Sequence, residues 1–423
     1  MLRRHQLLVG ARALLVAALS TGAQVLYFLF FLALLVGGGA WLIARSGLAG
    51  LDAGFALDRP QAQVGDHVRA AYTVRNRTPF PRLWLEVQTP STLPIPIPGR
   101  VLALGPRATR TWTVDVPLPR RGQYRVDPLR LRTGDPFGLF SASASVGAGA
   151  GLVVYPAVDA LPAWRLPPAR IEGSDAHPER SHLATPLVSG VRPYVTGDAF
   201  NRIHWKSSAR HGELQVKEFD VEQTADLWLF LDLERAVHAG ADADATIETA
   251  ARACASVAAR VTSGNRSVGL EAAGTRRIVI TADRGARQQQ KVLHLLASVA
   301  ADGAVPVGEL LIDGLARLRR GMTAVVVTPS LERGWVGSLA GLRGRGVGAA
   351  VCIVDPLAHE ERTRAGLGEA PLTPEERAPW ERDLRALRLA LAEQEIEAYV
   401  LGPAAPLGTM IVSGSTRTAA GAR

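Results

Sequence analysis

The sequence predicts a chain of three structural parts: an N-terminal transmembrane hairpin, an all-β domain and a C-terminal α/β domain. Three observations support this prediction. Residues 13–44 contain no charged side chain, residues 55 to about 155 contain short segments of alternating apolar and polar residues, and the remainder alternates apolar runs with helical periods. We therefore divide the 423 residues into a membrane anchor (1–50), a β domain (51–156), a linker (157–190) and an α/β domain (191–423).

The composition excludes several classes of protein. Charged residues are 21% and hydrophobic residues 47% of the chain, which excludes disorder, a collagen-like fibre and a coiled-coil rod. The net charge is +9, but only three residues are lysine and no block of five basic residues occurs, so nucleic-acid binding is not predicted. Two cysteines, Cys254 and Cys352, are too few for a disulfide framework and indicate a reducing compartment for the part that carries them.

The uncharged N-terminal stretch is 32 residues long, whereas one membrane span needs about 20 apolar residues. The polar segment Ser20–Gln24 predicts a turn between a first helix over Leu7–Leu19 and a second over Val25–Ile43. Arginines flank both ends of such a hairpin, and the positive-inside rule then places both ends, and the soluble domains, on the cytoplasmic side of the cell membrane. The alternative is a single span that would export everything after residue 50.

The β domain is expected to begin its first strand after the turn Val64–Asp66 and to end its last strand near Pro156. A loop rich in Gly, Ala and Ser is expected just before that last strand. Short strands separated by turn-forming residues at this spacing are typical of an immunoglobulin-like sandwich. No catalytic pattern occurs here, so we interpret the domain as a scaffold.

The α/β domain is expected to be Rossmann-type, with a mostly parallel sheet. The apolar run 226–233 predicts a strand buried on both faces, and the 3.6-residue period of Asp242–Thr262 predicts a helix that ends at Gly264. Cys254 lies on the apolar stripe of that helix and Cys352 inside a strand, so both are expected to be inert core thiols. Further helices are predicted over 287–300, near 335–343 and over 380–393.

Familiar catalytic signatures are missing from the sequence, including a phosphate-binding GxxxxGK[ST] loop, HExxH and GxSxG. The densest chemical pattern is 197–219, where apolar residues alternate with charges, so one face should be buried and the other charged. We expect Asp198 and Trp205 to support folding, and Lys206 and Lys217 to support binding. The alternative is a hydrolase or transferase whose site uses Asp198, Lys206 and Lys217.

The same stretch resembles the signature of a bacterial membrane-protein family, the domain-of-unknown-function family number fifty-eight. A second pattern of that family, R-R-G-x-Y followed by D-P-F-G-L-F, stands at Arg120–Tyr124 and Asp135–Phe140. The resemblance covers nearly the whole chain. The residues that match the first signature are Arg192, Tyr194, Gly197, Asp198, Arg202, Ile203, Trp205, Lys206, Ala209, Arg210, Leu214, Val216, Lys217, Glu218 and Phe219.

This resemblance implies a truncated von Willebrand factor A-like domain in a protein that works with a MoxR-type AAA+ ATPase, and often beside a transglutaminase-like membrane protein. The implied role is that of a non-enzymatic adaptor in assembly, maturation or envelope stress. We expect the partner surface to comprise Arg192, Tyr194, Gly197, Asp198, Arg202, Trp205, Lys206, Arg210, Lys217 and Glu218.

The resemblance also bears on metal binding, because a full A domain holds Mg²⁺ with Asp-x-Ser-x-Ser and later Thr and Asp residues. Here the first element is Asp232-x-Glu234-x-Ala236, and Thr328-Pro329-Ser330 stands where an Asp would be expected. The site is therefore degenerate. We expect neither a bound metal nor another cofactor.

Overall fold

The computed structural model describes residues 2–162, 164, 188–195, 198, 200, 203–219, 226–403 and 407–408. The chain forms two compact units. The first comprises Met1–Val158 and Leu293–Val299, and the second comprises Asp159–Val292 and Ala300–Arg423.

The first unit begins with two helices, α1 (Leu2–Thr21) and α2 (Gln24–Ser46), which pack against each other. The turn between them falls at Gly22 and Ala23, within the segment where a turn is predicted. Among the described residues, only α2 is a helix long and apolar enough to cross a membrane. The apolar part of α1, Val9–Thr21, is shorter, so the second span of the predicted hairpin lacks the length that α2 has.

The rest of this unit is rich in β structure, with three sheets that share one apolar core. In strand order the sheets are β1-β3-β6, β5-β4-β8-β9 and β2-β10-β7. The strands are β1 (Leu51–Leu57), β2 (Gln61–Gln63), β3 (His67–Asn76), β4 (Arg82–Gln88), β5 (Arg100–Leu104), β6 (Thr109–Pro117), β7 (Gly122–Val126), β8 (Leu129–Gly134), β9 (Ser141–Val146) and β10 (Ala150–Tyr155).

Three of these strands differ from the sequence-based expectation. β1 and β2 lie before Val64–Asp66, after which the first strand was expected to begin, and β9 occupies the segment rich in Ala and Ser that was expected to be a loop. All three sequences lack the aromatic and β-branched density that marks strands. They are held as strands because β3, β10 and β8, respectively, supply backbone partners along their length.

The R-R-G-x-Y pattern has a structural role in the first unit. Arg121 is buried and donates from Nε to the carbonyl of Leu296 (2.7 Å) and from Nη2 to the carbonyl of Val299 (2.9 Å). Tyr124 Oη donates to the carbonyls of Arg120 and Arg121 and so holds the turn that presents this arginine. The guanidinium thus satisfies carbonyl groups that would otherwise be buried without donors.

The second unit starts with a hairpin of β11 (Val188–Pro193) and β12 (Gln215–Phe219), with helix α3 (Trp205–His211) between the two strands. A six-stranded sheet follows, in the order β15-β14-β13-β16-β17-β18, parallel except for the β14–β15 pair. Its strands are β13 (Leu227–Leu231), β14 (Val268–Ala273), β15 (Arg277–Asp283), β16 (Thr323–Thr328), β17 (Gly348–Val354) and β18 (Glu397–Leu401).

Six helices accompany this sheet within the described residues: α4 (Thr246–Ser263), α5 (Gly285–Ser298), α6 (Val307–Gly314), α7 (Val336–Gly344), α8 (Pro356–Leu367) and α9 (Pro374–Glu393). Helix α8 was not predicted, because it buries only Pro356 and His359 and so has little apolar period. The Asp355 carboxylate caps it by accepting from the amides of Leu357 and Ala358.

Both cysteines are buried, and burial raises the pKa of the Cys352 thiol to about 12.

The start of the predicted linker is packed against the second unit. The Asp159 amide donates to Ser256 Oγ (2.9 Å), and its carboxylate accepts from Arg252 Nη2 (2.9 Å to Oδ1) and from the Leu407 amide (2.9 Å to Oδ2). Leu161 and Trp164 are buried. The rest of the predicted linker up to residue 187, with His177 and His182, lies outside the described residues.

A buried carboxylate, Glu271 in β14, stabilises one side of the sheet. It has no exposed surface and accepts hydrogen bonds from the guanidinium groups of Arg277 and Arg317, both partly exposed. Arg277 also contacts Asp313, which is half exposed. The arginines and Asp313 can still contact water, whereas the Glu271 carboxylate is stabilised only by the hydrogen bonds and charges of its protein neighbours.

We expect the double variant Arg277→Ala/Arg317→Ala to lower the free energy of unfolding by about 3–5 kcal/mol, because it leaves a buried carboxylate without a counter-charge. Asp313→Ala removes only an exposed ion-pair partner and should cost no more than about 1 kcal/mol. Urea denaturation of the detergent-solubilised chain, followed by tryptophan fluorescence, measures both values. Equal losses would show that the buried pair has no special role.

Candidate functional site

The site lies where the sheet reverses its strand order, at the carboxyl ends of β13 and β16. Asp232 directly follows β13 and is fully buried. Its Oδ2 accepts a hydrogen bond from Thr328 Oγ1 at 2.6 Å, and its Oδ1 accepts from the Glu234 amide at 2.9 Å. In α/β sheets this edge is where ligands bind, but here both carboxylate oxygens already serve internal hydrogen bonds.

A small network surrounds this carboxylate. Thr328 Oγ1 also accepts from the Ser330 amide (2.8 Å), which fixes the chain after β16. His238 Nε2 donates to the Asp232 carbonyl (3.1 Å), and its Nδ1 lies 2.8 Å from Thr246 Oγ1 at the start of α4. The resemblance placed Asp232 and residues 328–330 at one degenerate metal site, but the sequence did not indicate the hydrogen bond between Thr328 and Asp232, nor that His238 and Thr246 would meet them there.

The electrostatics of the site favour protonated acids. Burial, the largest effect, raises the pKa of Asp232 to about 6; the hydrogen bonds from Thr328 and the Glu234 amide oppose this rise, and the charge of Glu234 adds to it. The pKa of Glu234 is itself raised, first by burial and then by the charges of Glu332 and Glu309. Among the described residues, no nearby cation lowers the pKa of Asp232 or of Glu234. These two carboxylates at the edge of the sheet are therefore easier to protonate than ordinary ones.

An open cleft of about 520 Å³ adjoins these residues at the ends of β13, β16 and β17. Three prolines and a tryptophan, Pro329, Pro356, Pro379 and Trp380, give it stiff apolar walls. Its polar lining includes Glu332, Asp383, Arg333 and His238. The cleft could hold a short segment of a partner or a small ligand.

The donor set does not fit the Mg²⁺ site of a full A domain. Ala236 offers no hydroxyl, Pro329 offers no carboxylate, and Asp232 Oδ2 is occupied by the Thr328 hydroxyl. Among the residues that the structure describes, no group of three or more His, Cys, Asp or Glu side chains is placed to hold a metal ion. Hard cations need several converging oxygen ligands, so we derive no step through a metal.

The predicted partner segment is organised by one ion pair. Arg192 donates from Nη1 and Nη2 to the two carboxylate oxygens of Asp198, both at 2.8 Å. The same carboxylate accepts from the Val195 amide (3.0 Å), so it closes the turn after β11. The Tyr194 and Phe200 rings lie 6.1 Å apart across this turn. A bidentate arginine–carboxylate pair fixes geometry as well as charge.

The alternation over 197–219 does not produce one continuous strand. Residues 205–211 form helix α3, capped by the His204 side chain, which accepts from the Ser207 amide, and ended by Gly212 in the left-handed conformation. Ile203 and Val216 are buried as predicted, but Trp205 is 65% exposed and so is not the buried anchor that the alternation predicted. A helix changes which residues share a face, because its period is 3.6 rather than 2.

The remaining predicted residues fall in different places. Lys206 and Arg210 are exposed on α3. Lys217 and Glu218 lie in β12, but their side chains are outside the described part of the structure. Gly197 and Arg202 lie outside the described residues altogether. The structure thus brings Arg192, Tyr194 and Asp198 together at one turn and places the exposed cations on the helix that follows.

Residues 190–376 match the sequence model of the family described as "Protein of unknown function DUF58". A curated relative, the uncharacterized protein YeaD of Bacillus subtilis (strain 168), is 27% identical over 323 residues, which cover 74% of this chain and 79% of the relative. This chain is thus similar to a protein whose function is itself uncharacterized.

Solved structures show only weak likeness. The CARDB domain of the PF1109 protein from Pyrococcus furiosus is 14% identical with a TM-score of 0.19, and the match covers 25% of this chain and 91% of that domain. Proximal thread matrix protein 1 from the mussel byssus is 9% identical with a TM-score of 0.25, and the match covers 40% of this chain and 47% of that one.

The raised pKa of Asp232 makes stability depend on pH. Between the unfolded value of 3.8 and the folded value of about 6, the folded chain holds this proton more tightly than the unfolded chain, so the folded state loses stability as pH rises through that range. Asp232→Asn removes the charge. We therefore expect it to raise the melting temperature above pH 7 and to have little effect near pH 4.

Thr328→Val is the matched variant, because it removes the hydroxyl that stabilises the charged form of Asp232. We expect it to lower the melting temperature, most strongly above pH 6. Thermal melts of both variants and the unmodified chain between pH 4 and 8 measure the effect. A constant difference across this range would contradict the assignment.

Proposed function

We propose that this protein is a membrane-anchored, non-enzymatic adaptor that acts with a MoxR-type AAA+ ATPase in assembly, maturation or envelope stress. In this proposal α2 is the anchor, the β unit is an immunoglobulin-like scaffold, and the second unit is a truncated von Willebrand factor A-like domain. The strand order, with one antiparallel edge strand and a switch point at Asp232, supports the assignment of the second unit as A-like. The proposal includes a transglutaminase-like membrane protein as a further partner.

One observation carries the adaptor function: the segment with the family signature exposes apolar and cationic side chains together. Val195, Phe200 and Trp205 are each at least 63% exposed, and Lys206 and Arg210 are exposed beside them in sequence. Exposed apolar residues grouped in this way are typical of a protein-binding surface. Trp and Arg are also enriched among the residues that contribute most to interface affinity.

Two carboxylates of the second unit have structural hydrogen bonds. Asp198 is held by Arg192, and Asp232 by Thr328 and the Glu234 amide. A general base or nucleophile needs a free lone pair directed at a substrate. Because the oxygens of Asp198 and Asp232 are oriented by these internal donors, a structural role for both carboxylates supports the proposal of a scaffold.

The specific observation in favour of the alternative, a hydrolase or transferase, is the pair His204–Ser207. His204 Nδ1 lies 2.7 Å from Ser207 Oγ, the distance expected between a base and a nucleophile. The same nitrogen also accepts from the Ser207 amide, which is the arrangement of a helix cap. We favour the cap, and Asp198, Lys206 and Lys217 remain the candidates of the enzyme hypothesis.

We expect Trp205→Ala and Lys206→Glu each to weaken association with a MoxR-type ATPase from the same organism about tenfold or more, which is about 1.4 kcal/mol. Neither should change the melting temperature, because both side chains are exposed. Leu367→Ala is the control, since Leu367 is equally exposed on α8 in the same unit. Binding of detergent-solubilised variants to the immobilised ATPase measures the effect. Unchanged binding by both variants would contradict the proposal.

We expect the N-terminus and both soluble units to lie on the cytoplasmic side, because Arg3, Arg4 and Arg45 flank the two helices. This arrangement requires α1 to cross the membrane, although α2 is the only helix among the described residues that is long and apolar enough for a span. Protease added to intact spheroplasts should leave the soluble units uncut, and protease added after lysis should digest them. Digestion in intact spheroplasts would establish the single-span alternative.

A further inference from the structure

A large apolar groove of about 1450 Å³ lies in the first unit, beside the end of α2. Its walls come from Leu42 and Ile43 of α2, from residues 78–84 at the turn after β3 and the start of β4, and from residues 132–141 at the end of β8, the following turn and the start of β9. Phe137 is at the tip of that second turn, beside the groove and not in its lining. Large apolar side chains on these segments point into solvent in the structure: Phe80 is 70%, Leu83 76% and Phe137 60% exposed. Exposing so many large apolar groups together costs free energy in water.

Both segments are held rigidly in this exposed arrangement. The buried Asp135 carboxylate accepts hydrogen bonds from the amides of Phe137 and Phe140, so the D-P-F-G-L-F pattern forms a closed turn with Phe137 at its tip. The buried Asn76 side chain donates to the Phe80 carbonyl (2.8 Å) and accepts from the Thr78 amide (3.0 Å). Buried polar groups are thus committed to presenting two aromatic rings.

The end of α2 is fixed to the same surface. Gly47 approaches β8 so closely that a Cβ there would lie 2.5 Å from Thr133 Cγ2. Arg82 Nη2 donates to the Ala49 carbonyl (2.8 Å), which ties the link between α2 and β1 to the turn before β4. The link is only four residues long, Gly47–Gly50, and cannot carry the β unit far from the end of the helix.

These constraints place the groove at a defined depth if α2 spans a membrane. A helix of 23 residues is about 34 Å long, and the hydrocarbon core is about 30 Å thick. Leu42 and Ile43 then lie at the boundary between acyl chains and headgroups, and the groove lies beside them. Aromatic side chains are enriched at this depth.

The charges around the groove favour a negatively charged occupant. Arg82 and Arg132 line it, and Arg45 stacks on the Trp41 ring in the last turns of α2. Arg132 Nη1 also lies 3.9 Å from a carboxylate oxygen of Glu86, a long ion pair that leaves the arginine half exposed. Arg82 Nε is buried and has no hydrogen-bond partner among the described residues. The acidic residue in the lining, Asp135, is used by the two amides of its own turn. An arginine fork is suited to bind phosphate.

We infer that the groove binds an anionic phospholipid of the bilayer, with acyl chains against Phe80, Leu83 and Phe140, the headgroup phosphate at Arg82 and Arg132, and the exposed Phe137 ring inserted into the bilayer beside it. The β3–β4 and β8–β9 turns are then inserted into the membrane interface. This inference rests on the proposed anchoring by α2, and the experiment below separates the two.

The test uses full-length protein in liposomes of phosphatidylcholine with and without phosphatidylglycerol. A cysteine-linked NBD fluorophore is placed at one of three exposed positions, in Phe137→Cys, Leu34→Cys or Leu389→Cys, and lipids carrying a doxyl quencher are included. Leu34 is in the middle of α2, and Leu389 is an exposed residue of α9 that serves as the matched control. The native cysteines are buried and should not be labelled.

We expect quenching and a blue shift of emission at position 137, stronger with phosphatidylglycerol, and neither effect at position 389. Arg132→Gln should abolish the preference for phosphatidylglycerol, since Arg132 is an exposed headgroup ligand in this inference. An unquenched probe at 34 means that the anchoring proposal fails. A quenched probe at 34 with an unquenched probe at 137 overturns the lipid site and leaves the anchoring proposal intact. In that case, capture of a membrane protein by a photo-crosslinker at position 137 in native membranes would assign the groove to a partner helix.

Discussion

The Thr328 hydroxyl donates to the buried Asp232 carboxylate at the point between β13 and β16 where the strand order of the sheet reverses. The loops at this end of the sheet depend on that contact. It joins the ends of two neighbouring parallel strands, and through Ser330 and His238 it fixes the loops that follow them. Burial of this carboxylate makes its charged form less stable, which is why its pKa is raised. The sheet edge is thereby shaped by an acid whose two oxygens each accept an internal hydrogen bond.

The parts that sequence could predict are those in which local pattern and burial agree. β13, β16 and β17 are uninterrupted apolar runs, and a strand covered on both faces leaves that trace. β9 leaves no such trace, because alternating Ser and Ala acquire strand geometry only from their neighbour β8. The resemblance brought Asp232 and residues 328–330 to one degenerate metal site, but pattern alone could not predict the hydrogen bond between Thr328 and Asp232, since it joins residues 96 positions apart and depends on the strand order of the sheet.

The two family patterns share a physical logic although they lie in different units. In each, an acidic side chain accepts hydrogen bonds within a turn and thereby exposes an aromatic residue: Asp135 for Phe137, and Asp198 for the turn that carries Phe200. Motifs rich in charge therefore need not mark reaction centres. Here the charges fix the backbone, and the neighbouring apolar side chains are left available for contact.

The close packing of Gly47 against Thr133 has a mechanical consequence. A flexible hinge would let α2 lean in the membrane without disturbing the β unit, but a joint locked by this glycine and by Arg82 transmits the lean of the helix to the strands. Helices respond to bilayer thickness by changing tilt. If α2 spans a bilayer, the β domain would therefore rotate with α2 whenever the bilayer thickness around the helix changed. Its orientation relative to the membrane plane would then depend on that thickness.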